Sequence, residues 1–186
     1  MIDYQNPRGV IPQNPLLTDF RFGAETGISP EILNKSGDWT KYLPTNEKQI
    51  GRYFDTLSCV TFSAVNNVEM LFTRLFELNR ISAANLKWLK DNGYFDESGR
   101  INFSDHFTAI MSGTTKAGNY LGAVADSIRN DGLIPQSMFP NFGSERTWSE
   151  WIDKSQITEA MKAIGQEFKK RFDIKYEWIV WAVDMS

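Results

Sequence analysis

From Cys59 to Leu78 the apolar residues fall at Cys59, Phe62, Val65, Val68, Phe72, Leu75 and Leu78, every step three or four positions long. Such a stripe fits one face of a helix. It fits no face of a strand, where apolar side chains recur at every second position. Leu71 and Phe76 widen the stripe, so this helix is expected at the centre of the fold with other elements packed around it.

Shorter helices are expected after it. Ser82 is placed to cap "SAANLKWLKDNG" and Gly93 to end it in the left-handed conformation. Ser104 and Gly113 bracket "SDHFTAIMSG" in the same way. Leu121, Val124 and Ile128 form one side of a fourth helix that Gly132 and Pro135 close. Ile157, Met161, Ile164, Phe168 and Phe172 predict a fifth over residues 155–172, with Asp153 and Gln156 as its capping box. "GDWTKYLP" has no helical period and is expected to be extended. The final "DIKYEWIVWAVDM" is β-branched and aromatic and predicts a strand, apolar on both faces near its end.

The expected fold class is therefore α+β. Residues 1–50 read as an extended N-terminal arm, broken by Asn-Pro pairs. Residues 51–145 read as a helical lobe that bears Cys59. Residues 146–186 read as the start of a second, β lobe. The final strand has too few partners in this chain, so the β lobe reads as truncated.

Composition limits the function classes. The net charge of −3 over 186 residues argues against a general nucleic-acid binder. One cysteine allows no internal disulfide and favours a reducing compartment. "MIDYQNPRGVIPQNP" lacks the basic and apolar regions of a signal peptide, and no apolar run approaches the ~20 residues that span a bilayer. The expected setting is cytoplasmic or virion-associated, with no membrane partner. No Cys/His cluster has metal-ligand spacing, no glycine loop has P-loop spacing, and no cofactor is expected.

Cys59 admits two readings. A thiol in the first turn of a helix meets unpaired N–H groups that favour the thiolate, which suits a nucleophile. A lone Cys on an apolar helical face is equally a small buried hydrophobe.

The neighbouring residues add a resemblance. "SCVTFSAVN" resembles the "SCWAFSA" segment of the papain-like cysteine peptidases, where the Cys opens the long central helix. "FSDHFTAIMSGTTKAGNYLGAVADSI" is similar to the family's stretch that begins "LSEQ" and passes a glycine pair into the next helix. "NDGLIPQSMFP" is similar to its "NGLVPESDYP". "GDWTKYLP" falls at its "DWR", and "ITEAMKAIG" with "WIVWAVD" resembles the helix and first strand of its second lobe. Val60 departs from the family aromatic, and the Gly-Cys-Gly before the nucleophile is missing. The spelling looks like a bacterial or phage-encoded branch.

The resemblance implies peptide-bond hydrolysis of a peptide or protein substrate through a Cys59 acyl-enzyme. It implies Gly118 at the position that approaches the substrate backbone. The oxyanion hole would use the Cys59 N–H and a glutamine side chain upstream. Gln49 is the nearest glutamine, ten residues before Cys59, and serves only if "IGRYFDTL" folds it back. Tyr53, six before, is the other donor. The family's His lies roughly 130–150 residues after its Cys, beyond Ser186. A missing C-terminal segment or a second chain would supply it. The only His, His106, reads as a surface or capping residue. The alternative is a non-catalytic, peptidase-like structural or binding component, for instance of a phage particle. Glu69 and Glu77 read as solvated-face charges, and the tryptophans 148, 151, 178 and 181 as core.

Overall fold

The computed structural model describes residue 11, residues 32–45 and residues 47–176. Six α-helices lie within them: α1 Cys59–Glu77, α2 Ala83–Asp91, α3 Asp105–Met111, α4 Leu121–Asp131, α5 Trp148–Trp151 and α6 Glu159–Arg171. Single 3-10 turns occupy Thr40–Tyr42 and Lys154–Gln156.

The helix ends follow local chemistry. The Ser82 hydroxyl accepts the Asn85 N–H and Ser104 that of Phe107. Gly93, Gly113 and Gly132 take φ between 73° and 77°, where a side chain is disfavoured. The expected capping box at Asp153 is not formed, because that carboxylate accepts the Ser155 N–H and opens a 3-10 turn instead. The box lies at Thr147 and Glu150, ahead of α5, and α6 starts only after Thr158, whose hydroxyl accepts the Met161 N–H. "GDWTKYLP" is not extended throughout: Asp38 accepts the Thr40 N–H and starts the 3-10 turn.

The α+β expectation is overturned. Among the described residues there is no sheet, only isolated antiparallel bridges at Ile50–Asp55, Phe95–Ile101, Phe103–Pro135 and Thr115–Gly118. Each extended stretch meets its neighbour at one point, then turns away into a helix or a tight loop. The strand expected over "DIKYEWIVWAVDM" is not formed in its first residues, 173–176, which are irregular, and the rest of it lies outside the described residues.

Helix α1 packs against α3 and α4, and α4 against α6. Phe72 of α1 lies 5.6 Å from Phe103, and 5.6 and 5.1 Å from Phe168 and Phe172 at the end of α6. Tyr94 and Trp88 extend this aromatic cluster. Helices α4 and α6 approach so closely that a Cβ on Gly132 would run into the Gly165 carbonyl. Leu71 does not widen the buried face of α1; it is exposed. Among the described residues no helix is long and apolar enough to cross a membrane.

Candidate functional site

Cys59 is the first residue of α1. The N-cap Ser58 makes no side-chain bond to the helix; its hydroxyl donates to Thr56 Oγ1 at 2.6 Å. The first N–H groups of α1 are therefore left without a side-chain acceptor from their own cap. Cys59 is half-buried, is in no disulfide, and packs against the hydrophobic core. Burial pushes its thiol above the ordinary range and Asp55 adds to this, while the backbone N–H groups of Val60 and Cys59 pull the other way. Helix-end donors thus face the sulfur, and the core holds its flank.

The loop before α1 folds back on itself. Ile50 bridges Asp55, and the Gly51 N–H donates to Phe54 O at 3.1 Å. Gly51 is needed there, because a Cβ would strike the ring of Phe142. The hairpin returns Gln49 to the helix start. Its carbonyl accepts from the Thr56 N–H and hydroxyl, and its side-chain Nε2 donates to Asp55 Oδ1 at 3.2 Å. Asp55 Oδ1 also accepts the Leu57 N–H, and Leu57 takes φ +56°, a costly conformation for a branched residue. The segment therefore folds back as far as Thr56, three residues before Cys59. Tyr53 sits half-exposed at the hairpin tip, its ring 4.3 Å from the Arg146 guanidinium.

Gly118 closes a tight turn with φ +101°, exchanging both backbone hydrogen bonds with Thr115. Its own N–H and C=O are occupied there. The next carbonyl, that of Asn119, accepts the Ile11 N–H at 2.9 Å. Asn119 is held by its side chain, which donates to Ser112 and Thr114. Trp148 joins the turn to the hairpin. Its indole N–H donates to Thr56 O at 2.9 Å, and the Lys116 ammonium stands 5.9 Å over its ring. Trp148 was legible only as core, and Asn119 carried no signal beyond its place after a glycine.

His106 is not a surface residue. It is fully buried, stacked between Phe139 at 4.1 Å and Trp151 at 4.4 Å. Nδ1 lies 3.0 Å from Pro140 O, and Nε2 lies against Trp151 O. Burial lowers its pKa, and the two carbonyls only partly oppose this. With both ring nitrogens engaged, it is no base for Cys59.

Glu69 is the second surprise. It is fully buried, accepting the Phe103 N–H at 2.6 Å. Glu77 does lie at the surface, where Arg74 and Tyr42 bind its carboxylate and hold it below the ordinary range. The signal for Glu69 was positional: it falls four after Val65 and three before Phe72, inside the buried stripe. The Asn66 amide, nitrogen turned inward, donates to Glu47 Oε2 at 3.2 Å and Glu69 Oε2 at 3.0 Å. Asp105, also fully buried, accepts from Asn141 Nδ2 at 3.1 Å. Among the described residues no group of three acidic, His or Cys side chains is arranged to hold a metal ion. No known family, no curated protein and no solved structure matches this chain.

Proposed function

We propose that the chain carries the nucleophile and oxyanion-binding part of a papain-like cysteine peptidase. The observation that supports this most is the hairpin that returns Gln49 to Thr56, three residues before a cysteine that opens a 19-residue helix. In this reading the Cys59 thiolate attacks a peptide carbonyl. The developing oxyanion is held by the Cys59 N–H and the free N–H of the Gln49 amide, whose other N–H is fixed by Asp55. The amine leaves with a proton, and water then releases the acyl group from sulfur. The carbonyl of Asn119 accepts a backbone N–H from Ile11, and a peptide substrate offers the same donor. The proton acceptor comes from outside the described residues, in a further segment or a second chain, because His106 is engaged on both nitrogens. The working place is the cytoplasm or a virus-like particle.

The test uses the complete gene product with whatever chain accompanies it. A peptidyl epoxide should add once, at Cys59, and Cys59→Ala should lower peptide hydrolysis by about 10³-fold or more. Hydrolysis that survives Cys59→Ala at full rate sinks the proposal.

The raised thiol pKa and the packing of Cys59 on the hydrophobic core favour a second reading. In it the same lobe is a non-catalytic structural or binding component. Failure of the epoxide to label Cys59 in the intact assembly, with binding of the peptide retained, would select it.

A further inference from the structure

The cavity between the turn after Tyr94 and the segment after α4 carries more acceptors than the fold supplies donors. We propose that it is a binding site for a guanidinium group, separate from Cys59 and independent of what Cys59 does. Phe95 of its wall packs on Phe76, and about 25 Å of helix α1 lies between Phe76 and Cys59.

The cavity holds about 340 Å³, within the range of small-molecule sites. Asn102, 7% exposed, is the most buried residue of its lining; Phe95, Asp96 and Gln136 are half-buried, and Glu97 and Ser137 stand at the exposed rim. Backbone hydrogen bonds fix Asn102: its N–H donates to Tyr94 O at 2.9 Å, and its carbonyl accepts the Gln136 N–H at 3.2 Å. Its side-chain Nδ2 donates to Glu47 Oε1 at 3.4 Å, which assigns the other end of the amide as oxygen. That oxygen, Oδ1, is buried and meets no donor, and Gln136 Oε1 is in the same condition. A buried acceptor without a donor is costly, and here two such residues line one cavity.

The lining is anionic and includes no Lys, Arg or His. Despite burial, the hydrogen bonds from Ser98, Arg100 and Thr45 hold Asp96 below the ordinary carboxylate range. Ser98 and the Arg100 N–H occupy its Oδ1, and Thr45 its Oδ2. Asp96 therefore acts by its charge. Glu97 is exposed and has no hydrogen bond or ion pair among the described residues. The nearby cations are engaged elsewhere: the Arg100 guanidinium donates to Leu43 O at 2.6 Å, and the Lys90 ammonium stands 5.9 Å over the Phe76 ring.

The acceptors come from separate segments. Glu97 lies in the turn, Asn102 in the extended run after it, and Gln136 beyond α4. An ammonium is a strongly hydrated point charge with its donors on one atom. A guanidinium is planar, spreads its donors along two edges and is more weakly hydrated. One edge meets Glu97 and the other the two amide oxygens, while Phe95 offers its ring to the cation's face. The amide oxygens are shut from water within the wall. The Gln136 side chain, which makes no hydrogen bond among the described residues, turns to open the way to them.

The probe is n-butylguanidinium chloride, titrated at constant ionic strength into the ¹⁵N-labelled full chain. The side-chain amide signals of Asn102 and Gln136 should shift and saturate with a Kd of about 1 mM or tighter. n-Butylammonium, equal in charge, should bind at least about tenfold more weakly. Gln136→Met removes an acceptor at a half-buried position and should weaken binding by about tenfold; Glu97→Gln, at an exposed one, should weaken it by about threefold. Both variants should otherwise keep the wild-type amide spectrum. A capped tripeptide with a central arginine separates the sources of the group. Binding at least as tight as the probe's assigns the site to an arginine of a protein, and weaker binding assigns it to a free small molecule. The proposal is overturned by shifts that do not saturate by about 10 mM, by n-butylammonium binding as tightly as the probe, or by either variant binding as wild type does.

Discussion

Helix α1 has two buried sides of opposite chemistry. On one, Phe72 meets the rings of Phe103, Phe168 and Phe172 at 5.1 to 5.6 Å. On the other, the Asn66 amide donates to both Glu69 and Glu47. Phe103 joins them, with its ring edge-on to Phe72 and its N–H on Glu69. The aromatic side acts through buried area and shape, which hardly change with pH. The polar side acts through geometry and proton count, so its strength is set by solution conditions. One side holds the molecule together; the other meets the segment that returns Gln49 to Thr56.

The largest effect should come from breaking the aromatic side. Phe168→Ala removes a ring that touches Phe72, Tyr94, Phe103 and Phe172. The expected loss is about 3–5 kcal/mol. Denaturant unfolding at pH 5 and pH 8 should give the same loss. A loss that changes by more than about 1 kcal/mol between them would mean that the two sides are not separable.

Glu69→Leu tests the polar side and should cost about 1–3 kcal/mol at pH 5, mainly by orphaning the Phe103 N–H. The wild-type Glu69 has a raised folded-state pKa, so its contribution shrinks as pH rises while the variant's stays fixed. The gap should therefore narrow toward pH 8. A gap that widens would show that Glu69 is held as a stable anion.

A smaller effect sharpens the same contrast across the whole pH range. Burial lowers the folded-state pKa of His106. Its contribution is therefore present above about pH 6.5 and is lost as pH falls through the folded value. Glu47, Glu69 and Asp105, raised chiefly by burial, run the other way. Calorimetry should show Tm highest in the interval where both persist, falling on each side by about 2–4 °C per kcal/mol lost. In Glu47→Gln the alkaline decline should flatten and the acid decline remain.

The aromatic side was legible in sequence and the polar side was not. Phe62, Val65 and Phe72 announced a helix by spacing, and Ser82, Ser104, Gly113 and Gly132 marked ends that the structure confirms. Glu69 occupies the same stripe, but its burial depends on a partner distant in sequence, the Phe103 N–H, as well as on Asn66 one turn away. His106 likewise sits in a helix that is buried on every side, sandwiched by residues more than 30 positions away. The α+β expectation failed where the β lobe was placed: residues 148–171 form α5, a 3-10 turn and α6. Extended runs such as 100–103 take up single bridges and side-chain acceptors, Thr73 and Glu69, in place of a ladder. The Gln49 hairpin could be stated as a requirement of the site, but only the contacts of Gly51 with Phe142 show why the chain turns there.

Trp148 should give the smallest global effect and the most local one. Trp148→Phe keeps a ring beneath Lys116 but removes the donor to Thr56 O. One neutral hydrogen bond contributes about 0.5–1.5 kcal/mol, so Tm should barely move. Thr56 is buried and also ties Gln49 to Ser58, so the loss is concentrated where the chain enters α1. The Thr56 amide should exchange faster, and alkylation of Cys59 by iodoacetamide should speed up as the loop over the half-buried thiol loosens. Faster exchange without faster alkylation would place Trp148 on the Gln49 hairpin alone. Neither change would mean that the hairpin stands on Asp55 and the Gly51–Phe142 contact, and that the polar region around Cys59 is more rigid than its hydrogen bonds imply.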